Sequence, residues 1–361
     1  MNSDASYMAR ALQLARRGLY TTDPNPRVGC VLVRDDVIIG EGWHQQAGLG
    51  HAEIEAINNT PNPRGATAYV TLEPCSHYGR TPPCCDALIS VGVSRVVVAM
   101  QDPNPLVAGQ GLQRLKIAGI EVVCGVLEED AQLLNRGFIK RMTAQRPFVR
   151  SKLAMSLDGR TAMASGESKW ITSPQARADV QRLRAESSAI LTGINTVLAD
   201  DPALTARIED DVLQPIRVVL DSKLAMPVSA QVGMLPGRCL ILTCSDDALK
   251  QQALQQAGFE VYRLPEKQSR VDLQHVLSFL AEQQINELLI EAGPTLNGAL
   301  LAENLVDEWT LYIAPCVLGD QGRGLFTLPG MDSMADKKNL NLTNVNIVGP
   351  DLKLTYTSAS G

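Results

Sequence analysis

Hydrophobic positions in the first 146 residues alternate between two periods. Residues 7–17 carry apolar side chains three and four apart, which predicts a helix. Two apolar runs on either side of the polar residues 34–36 predict a β-hairpin. The chain then alternates strands with helices, which predicts a mixed sheet between helices. The predicted strands are residues 29–33, 37–40, 68–72, 95–100 and 121–124, and the predicted helices are residues 7–17, one starting at His51, 84–90, 110–118 and 128–144.

The pattern begins again after Arg146. A long charged helix ends there, and Pro147 starts a new extended run. The sequence therefore predicts two domains, residues 1–146 and 147–361, with an antiparallel edge formed by the last two strands. The predicted strands of the second domain are residues 148–153, 189–192, 216–221, 239–242, 288–290, 308–313, 340–347 and 352–356, and its helices are residues 174–185, 273–282 and 295–302.

The composition is typical of a folded protein. Of 361 residues, 45% are hydrophobic and 20% charged, which supports a buried core and argues against disorder. No apolar run approaches the ~20 residues that span a bilayer. Arginines interrupt the N-terminal helix, so it does not resemble a secretory signal. We therefore expect a cytoplasmic protein without a membrane partner.

The charge is distributed unevenly between the two halves. Residues 1–146 carry 14 basic and 14 acidic side chains, whereas residues 147–361 carry 19 and 25, so the net charge of −6 belongs to the second half. A dedicated DNA or RNA binder normally shows a basic domain or stripe. The sequence therefore predicts small-molecule substrates and no nucleic-acid partner.

Cysteine spacing indicates a metal site. Eight cysteines are too few for a disulfide scaffold, but three of them lie within residues 75–85. His51, Cys75 and Cys84 offer one imidazole and two thiols, which can bind zinc and leave its fourth position to water. Glu53 can then move protons, and together these groups suit hydrolytic removal of an amino group from a base-like ring.

Other interpretations of the same residues stay open. His44 or His77 could complete a closed structural zinc site, Cys85 could replace Cys84, or the cysteines could be buried without a metal. A nucleic-acid-editing deaminase is a rival that the neutral first half opposes. A zinc-stabilised binding module is another rival, and it has no use for Glu53.

Longer segments around these residues resemble a known family. Residues 25–29 (NPRVG), 51–53 (HAE), 71–84 (TLEPCSHYGRTPPC) and 102–105 (DPNP) resemble the pyrimidine deaminase of riboflavin biosynthesis, a branch of the cytidine-deaminase-like family. The eight residues between its two cysteines mark that branch. The resemblance implies a three-layer α/β/α domain with zinc on His51, Cys75 and Cys84 and Glu53 as proton shuttle. It also implies substrate contacts from Asn25, His44, Arg80, Asp102 and Asn104.

The chemistry of those contacts is plausible. Asparagine and aspartate can pair with the amide edge of a pyrimidinone, and Arg80 can hold a phosphate. Without the resemblance, Asn25, Asp102 and Asn104 would be interpreted as turn formers beside proline.

The second half resembles the reductase domain of the same pathway. No Gly-x-Gly-x-x-Gly follows a strand there, so the Rossmann fingerprint is absent from the sequence. Residues 152–160, 170–172, 193–202 and 291–294 instead resemble a dihydrofolate-reductase-like α/β domain, which binds NADPH. The resemblance implies cofactor contacts at Ala154, Trp170, Thr196, Asp200, Ser222, Gly293, Pro294 and Thr295, and substrate contacts at Lys152, Ser168, Arg184, Leu204, Arg207 and Glu291.

Several of these residues also have ordinary interpretations. Arg184 and Arg207 could grip a phosphate with two hydrogen bonds each, or they could be a solvated helix residue and a loop charge. Lys152 could polarise the reacting sugar carbon, or it could be a surface lysine on a strand. Trp170 could simply pack in the core.

Taken over the whole chain, the resemblance is to the bifunctional riboflavin-biosynthesis deaminase/reductase family. It implies zinc-dependent deamination of 2,5-diamino-6-(5-phosphoribosylamino)pyrimidin-4(3H)-one. NADPH-dependent reduction of the ribosyl group would then give 5-amino-6-(5-phosphoribitylamino)uracil. It also implies a homo-oligomer, either a dimer or a tetramer.

Overall fold

The structure is a computed structural model that describes residues 3–76 and 82–358. It divides into two compact units, Met1–Arg146 and Pro147–Gly361, and each unit has its own main sheet. The first unit contains helices α1 (Asp4–Arg16), α2 (Ala52–Asn58), α3 (Cys84–Ser90), α4 (Gln110–Ile117), α5 (Glu128–Leu134) and α6 (Arg136–Ala144), and strands β1 (Gly29–Arg34), β2 (Val37–Trp43), β3 (Thr67–Val70), β4 (Arg95–Val98) and β5 (Glu121–Cys124).

The sheet of the first unit has the order β2-β1-β3-β4-β5. β1 pairs antiparallel with β2 and β3, whereas β3, β4 and β5 are parallel. Successive residues of a strand face opposite sides of a sheet. Cys30 and Leu32 of β1 accordingly pack among residues of α2, α3 and α4, while Val31 and Val33 pack against α1. The predicted three-layer α/β/α architecture is confirmed.

One predicted helix of this unit is divided in two. Residues 128–144 form α5 and α6, with a break at Asn135. The Asn135 side chain accepts a hydrogen bond from the Arg27 backbone N–H at 2.8 Å and donates one to the Arg27 carbonyl at 3.0 Å. This buried amide therefore binds a distant loop, and the hydrophobic spacing of the sequence carries no sign of that contact.

The second unit is larger. Its helices are α7 (Pro174–Glu186), α8 (Ile194–Asp200), α9 (Gln231–Met234), α10 (Ala248–Gln256), α11 (Leu273–Glu282) and α12 (Pro294–Ala302), with a 3₁₀ turn at Met334–Asp336. Its strands are β6 (Phe148–Ser156), β7 (Ala189–Gly193), β8 (Ile216–Leu220), β9 (Cys239–Thr243), β10 (Glu260–Arg263), β11 (Glu266–Lys267), β12 (Arg270–Val271), β13 (Glu287–Ile290), β14 (Glu308–Ala314), β15 (Leu340–Val348) and β16 (Asp351–Ser358).

Nine strands form the main sheet of this unit in the order β10-β9-β8-β7-β13-β6-β14-β16-β15. Neighbours from β10 to β14 are parallel, and β16 and β15 add the predicted antiparallel edge. Helices α11 and α12 cover one face, and α7 and α10 cover the other. Because neighbouring strands are parallel, their carboxyl ends lie at one edge, where open α/β sheets place their sites.

The sequence did not predict helices α8, α9 and α10 or strands β10, β11 and β12 of this unit. The three helices carry little hydrophobic signal, since each buries one residue, namely Val197, Val232 and Leu254. Their neighbours in the fold therefore stabilise them more than their own periodicity does.

Within residues 3–76 and 82–358, no helix combines the length and the apolar character that crossing a membrane requires.

We expect Gly298→Ala to destabilise the second unit. A Cβ atom at Gly298 in α12 would meet the carbonyl oxygen of Thr327, whose N–H is already fixed to the Pro294 carbonyl at 3.0 Å. Alanine gains about 1 kcal/mol of helix propensity over glycine, but overpacking against a fixed backbone costs about 1–3 kcal/mol. Thermal unfolding should show a midpoint lower by about 2–4 °C.

Gly324→Ala is the matched control, because no atom lies within 4 Å of a Cβ atom at Gly324. An equal midpoint for the two variants would contradict the predicted clash.

Candidate functional site

The candidate metal ligands of the first unit come from three segments. β3 runs into Cys75, helix α3 begins at Cys84, and His51 immediately precedes helix α2. The carboxyl end of β3 and the amino ends of two helices thus converge. Among the described residues, these three side chains form the one group of histidine, cysteine and acidic residues whose ligand atoms all lie within 4.8 Å of one another.

The distances within this group suit zinc. The Nδ1 atom of His51 lies 3.2 Å from the sulfur of Cys84 and 3.6 Å from that of Cys75. Bonds of about 2.3 Å to sulfur and about 2.0 Å to nitrogen in a tetrahedral site separate such atoms by about 3.5 Å. Two thiols and an imidazole at this spacing therefore fit the metal without rearrangement.

The local electrostatics favour a thiolate at Cys75. The thiol of Cys84 hydrogen-bonds to Cys75 and lowers the pKa of Cys75, and the backbone N–H of Cys84, in the first turn of α3, also donates to its sulfur at 3.2 Å. Thiolate is the form that binds metal. Glu53 is buried behind the same group, and burial raises the pKa of this carboxyl to about 7.

The contacts of His44 and Cys85 argue against two alternative zinc ligands. Both ring nitrogens of His44 already have partners, since Nδ1 lies 3.0 Å from the Gly50 carbonyl and Nε2 lies 3.1 Å from the side-chain nitrogen of Asn25. His44 therefore does not complete a closed site. Cys85 is buried among the apolar residues of α2, α3 and the sheet, so it does not replace Cys84. His77 and Arg80 lie outside the described residues.

The predicted substrate contacts of this unit divide into two places. Asn25 and His44 hydrogen-bond to each other, and the His44 ring stands edge-on to the His51 ring at 5.5 Å between centroids. Asp102 and Asn104 lie in a loop after β4, where Asp102 accepts from the Asn104 N–H and Asn104 accepts from the Leu106 N–H. Their side chains thus shape turns, and the substrate contacts stay predictions.

A half-buried group of charges, Lys152, Arg184 and Glu291, lies beside the carboxyl end of β13 in the second unit. Glu291 follows β13, and its carboxylate pairs with the Arg184 guanidinium at 2.6 and 2.9 Å. Burial opposes ionisation of Glu291, but Arg184 outweighs it and lowers the pKa of the carboxyl. Burial lowers the pKa of Lys152, while the nearby Glu291 acts in the opposite direction.

This pairing changes the interpretation of Arg184. The Nε and Nη2 atoms of Arg184 donate to the Glu291 carboxylate, and its Nη1 atom donates to the Thr205 carbonyl at 3.1 Å. The predicted contact of Arg184 with the substrate phosphate stays a prediction, and in this structure the guanidinium orients the Glu291 carboxylate. Arg207 is exposed, and its guanidinium makes a long hydrogen bond of 3.3 Å to the Thr205 hydroxyl.

Two glycines leave room for an extended ligand at the same edge. No atom lies within 4 Å of a Cβ atom built at Gly293, and the nearest atom to one built at Gly193 is a Leu296 methyl at 4.0 Å. Gly293 precedes α12 without a side-chain cap, followed by Pro294 and Thr295. A helix amino end of this kind accepts a phosphate group, so the residues present fit the pyrophosphate of NADPH.

The other predicted contacts of this unit vary in exposure. Trp170 is 70% exposed and stacks under the Arg177 guanidinium at 4.6 Å, so core packing is excluded for it. The Leu204 side chain is buried in the core, which leaves its backbone for any ligand. Asp200 pairs with Lys169 at 3.0 Å. Four further predicted contacts are half-buried, namely Ala154, Ser168, Thr196 and Ser222.

Two residues that shape these sites were not predicted from the sequence. Glu73 accepts four backbone hydrogen bonds beside the cysteine group. Asn297 accepts from the Ser151 hydroxyl at 2.7 Å and donates to the Ala292 and Gly293 carbonyls, which shapes the turn before α12. The sequence signal available for Glu73 was an acidic residue directly after the predicted strand 68–72. No sequence signal marked Asn297.

Comparison with known proteins covers both units. Residues 1–100 match the family model described as the cytidine and deoxycytidylate deaminase zinc-binding region, and residues 147–354 match the RibD C-terminal domain. The riboflavin biosynthesis protein RibD of Escherichia coli (strain K12) is 51% identical, with 99% of this chain and 100% of that protein aligned.

Solved structures agree along the full length. A structure of Acinetobacter baumannii RibD superposes with a TM-score of 0.93 at 47% identity and 99% coverage of both chains. A Thermotoga maritima protein described as a diaminohydroxyphosphoribosylaminopyrimidine deaminase/5-amino-6-(5-phosphoribosylamino)uracil reductase superposes with a TM-score of 0.89 at 34% identity, again with 99% coverage of both.

We expect Cys84→Ala to lose bound metal and Cys85→Ala to retain it. The first removes one of the three converging ligands, and the second removes a sulfur that packs in the core. Metal analysis of the purified proteins should give about one zinc per chain for the wild type and Cys85→Ala. Cys84→Ala should contain far less. The reverse order would identify Cys85 as the ligand.

Proposed function

This chain belongs to the riboflavin-biosynthesis deaminase/reductase family, and on that premise we propose how its two activities are divided between the units. The unit Met1–Arg146 carries the zinc-dependent deamination, and the unit Pro147–Gly361 carries the NADPH-dependent reduction. The observation that supports this division most strongly is the convergence of His51, Cys75 and Cys84 beside the buried Glu53, all within the first unit.

The proposed substrate of the first step is 2,5-diamino-6-(5-phosphoribosylamino)pyrimidin-4(3H)-one. Water adds to the ring carbon that bears the 2-amino group, the carbon–nitrogen bond breaks, and ammonia leaves. Zinc on His51, Cys75 and Cys84 supplies Lewis acidity to this hydrolysis when it is bound.

Glu53 is the proposed proton carrier. It receives the proton that the attacking water loses and returns it to the departing amino group, because ammonia is a far better leaving group than amide ion. Its burial beside Cys84 keeps the carboxylate at the reacting centre. Asn25 and His44, which hydrogen-bond to each other, are proposed to contact the pyrimidine, together with Asp102, Asn104 and Arg80.

The second step reduces the ribosyl group to ribityl. Gly293 and the amino end of α12 would hold NADPH, which when bound would supply a hydride for C1′ of the opened sugar. Lys152 is proposed to polarise that carbon from within the charged group formed with Glu291 and Arg184. Arg207 is proposed to bind the sugar phosphate, since its guanidinium is the more exposed of the two candidate arginines.

The remaining proposed contacts follow the family pattern. Cofactor contacts are proposed at Ala154, Trp170, Thr196, Asp200 and Ser222, and further substrate contacts at Ser168 and Leu204. A homo-oligomer, either a dimer or a tetramer, is also part of the proposal, and light scattering in solution tests it.

We expect Glu53→Gln to abolish ammonia release while leaving zinc content unchanged. The amide cannot carry the proton, and loss of general acid–base catalysis typically costs about 10²–10⁴ in rate. Ammonia release from the diaminopyrimidine and metal content are measured in parallel. Glu55→Gln in the same helix is the control and should behave as the wild type. Undiminished deamination by Glu53→Gln would refute the proton role.

We expect Arg207→Ala to raise the KM for the phosphorylated sugar substrate in the reduction. Loss of a charged hydrogen bond to phosphate should raise it roughly tenfold or more. Loss of absorbance at the nicotinamide band measures the reduction, and deamination by the same protein should stay nearly normal. Arg182→Ala, which removes an exposed arginine of α7, is the control. If deamination collapsed and reduction survived, the division of activities between the units would be wrong.

A further inference from the structure

A single buried carboxylate gathers four backbone N–H groups beside the metal ligands. Glu73 lies two residues before Cys75 and is 5% exposed. Its Oε2 atom accepts from the N–H groups of Asp102 at 3.0 Å and Gly109 at 2.9 Å. Its Oε1 atom accepts from those of Gly111 at 2.8 Å and Leu112 at 3.3 Å. All four donors are backbone N–H groups, so the carboxylate holds the backbone of these residues and not their side chains.

These four donors lie at the two ends of one loop. Asp102 stands where the chain leaves β4, and the other three stand where it enters α4. Between them lies the turn that contains Asn104, whose carbonyl accepts from the Val107 and Ala108 N–H groups. One carboxylate therefore closes the loop 102–109, which carries two proposed contacts to the pyrimidine.

The same contact binds the loop tightly to the segment that carries Cys75. A Cβ atom at Gly111 would meet the carbonyl oxygen of Pro74, so the start of α4 lies directly against the Pro74–Cys75 peptide. Arg114, one turn further along α4, donates to the Ser76 carbonyl at 3.2 Å and pairs with Asp86 at 2.7 Å. Helix α4 thus contacts the chain just after each cysteine ligand.

We propose that Glu73 is a positioning residue of the deamination, which sets Asp102 and Asn104 at a fixed distance from the metal ligand Cys75. This inference rests on the proposed function of the first unit. A carboxylate suits the task because it has two acceptor oxygens and no donor. Glutamine has the same shape but only one acceptor oxygen, and its amide nitrogen would face two N–H donors.

We therefore expect Glu73→Gln to release the loop without removing the metal. The KM for the diaminopyrimidine should rise about tenfold, which corresponds to about 1.4 kcal/mol of binding. The kcat should change by less than the KM, and the zinc content should stay that of the wild type. Reduction of 5-amino-6-(5-phosphoribosylamino)uracil by the same full-length chain reports that the second unit is folded, and the retained zinc reports that the first unit is folded.

Amide hydrogen exchange of the peptide 102–112 gives a readout that is independent of activity. Exchange should be faster in Glu73→Gln than in the wild type, because two of the four protected amides then face an NH₂ group instead of an acceptor oxygen. Glu121→Gln is the matched control, since Glu121 on β5 makes an exposed ion pair with Arg95 on β4 and has no hydrogen bond to the loop among the described contacts. It should leave both the exchange and the KM unchanged.

Specific outcomes would overturn the inference. An unchanged KM with unchanged exchange would mean that Glu73 does not fix the loop. A parallel fall of zinc content and kcat would mean that it supports the metal ligands instead. If Glu73→Gln does not fold, Glu73→Asp decides, because the shorter carboxylate must show the raised KM and faster exchange with zinc retained. A wild type that releases no ammonia would refute the proposed function rather than this inference.

Discussion

The parallel pairing of β3 with β4 is the constraint on which the deaminase site depends. Val70 at the end of β3 pairs with Val98 at the end of β4, so both strands end at the same edge of the sheet. Beyond them, the Glu73 N–H donates to the Met100 carbonyl at 3.0 Å. The metal-ligand segment after β3 and the loop after β4 consequently leave the sheet side by side. Catalytic groups need placement to within a fraction of an ångström, and strand ends provide it better than loops do.

The helices of the first unit complete this arrangement through their amino ends. Cys84 lies in the first turn of α3 and His51 precedes α2, so the partial positive charge of each helix end faces the ligand group. The backbone N–H of Cys84 at the start of α3 donates to the Cys75 sulfur and favours the thiolate form of Cys75, which a zinc ligand requires. The starts of α2 and α3 thus determine where the ligands lie, and the start of α3 also favours ionisation of Cys75.

The second unit places two groups of charges at neighbouring positions along one strand, β6. Arg150 of β6 pairs with Glu308 and Glu186 in the core, whereas Lys152, two residues later, belongs to the group with Glu291 and Arg184 at the open edge. Buried charges are tolerated where they are paired. The first group is satisfied within the core, and the second lies beside the glycines that leave room for a ligand. A sequence gives no means of distinguishing these two basic residues, because they face the same side of the strand.

The sequence by itself determined most of the strand and helix pattern, the division into two domains, and the group of His51, Cys75 and Cys84 with the neighbouring Glu53. Those features depend on local periodicity and on short, specific motifs. Only the tertiary structure decided the break at Asn135, the exposure of Trp170, the carboxylate held by Arg184 and the loop closed by Glu73. The contacts concerned join residues 107 positions apart for Arg184 and Glu291 and 29 apart for Glu73 and Asp102. Hydrogen bonds over such separations depend on which strands become neighbours, and local sequence pattern carries no information about that choice.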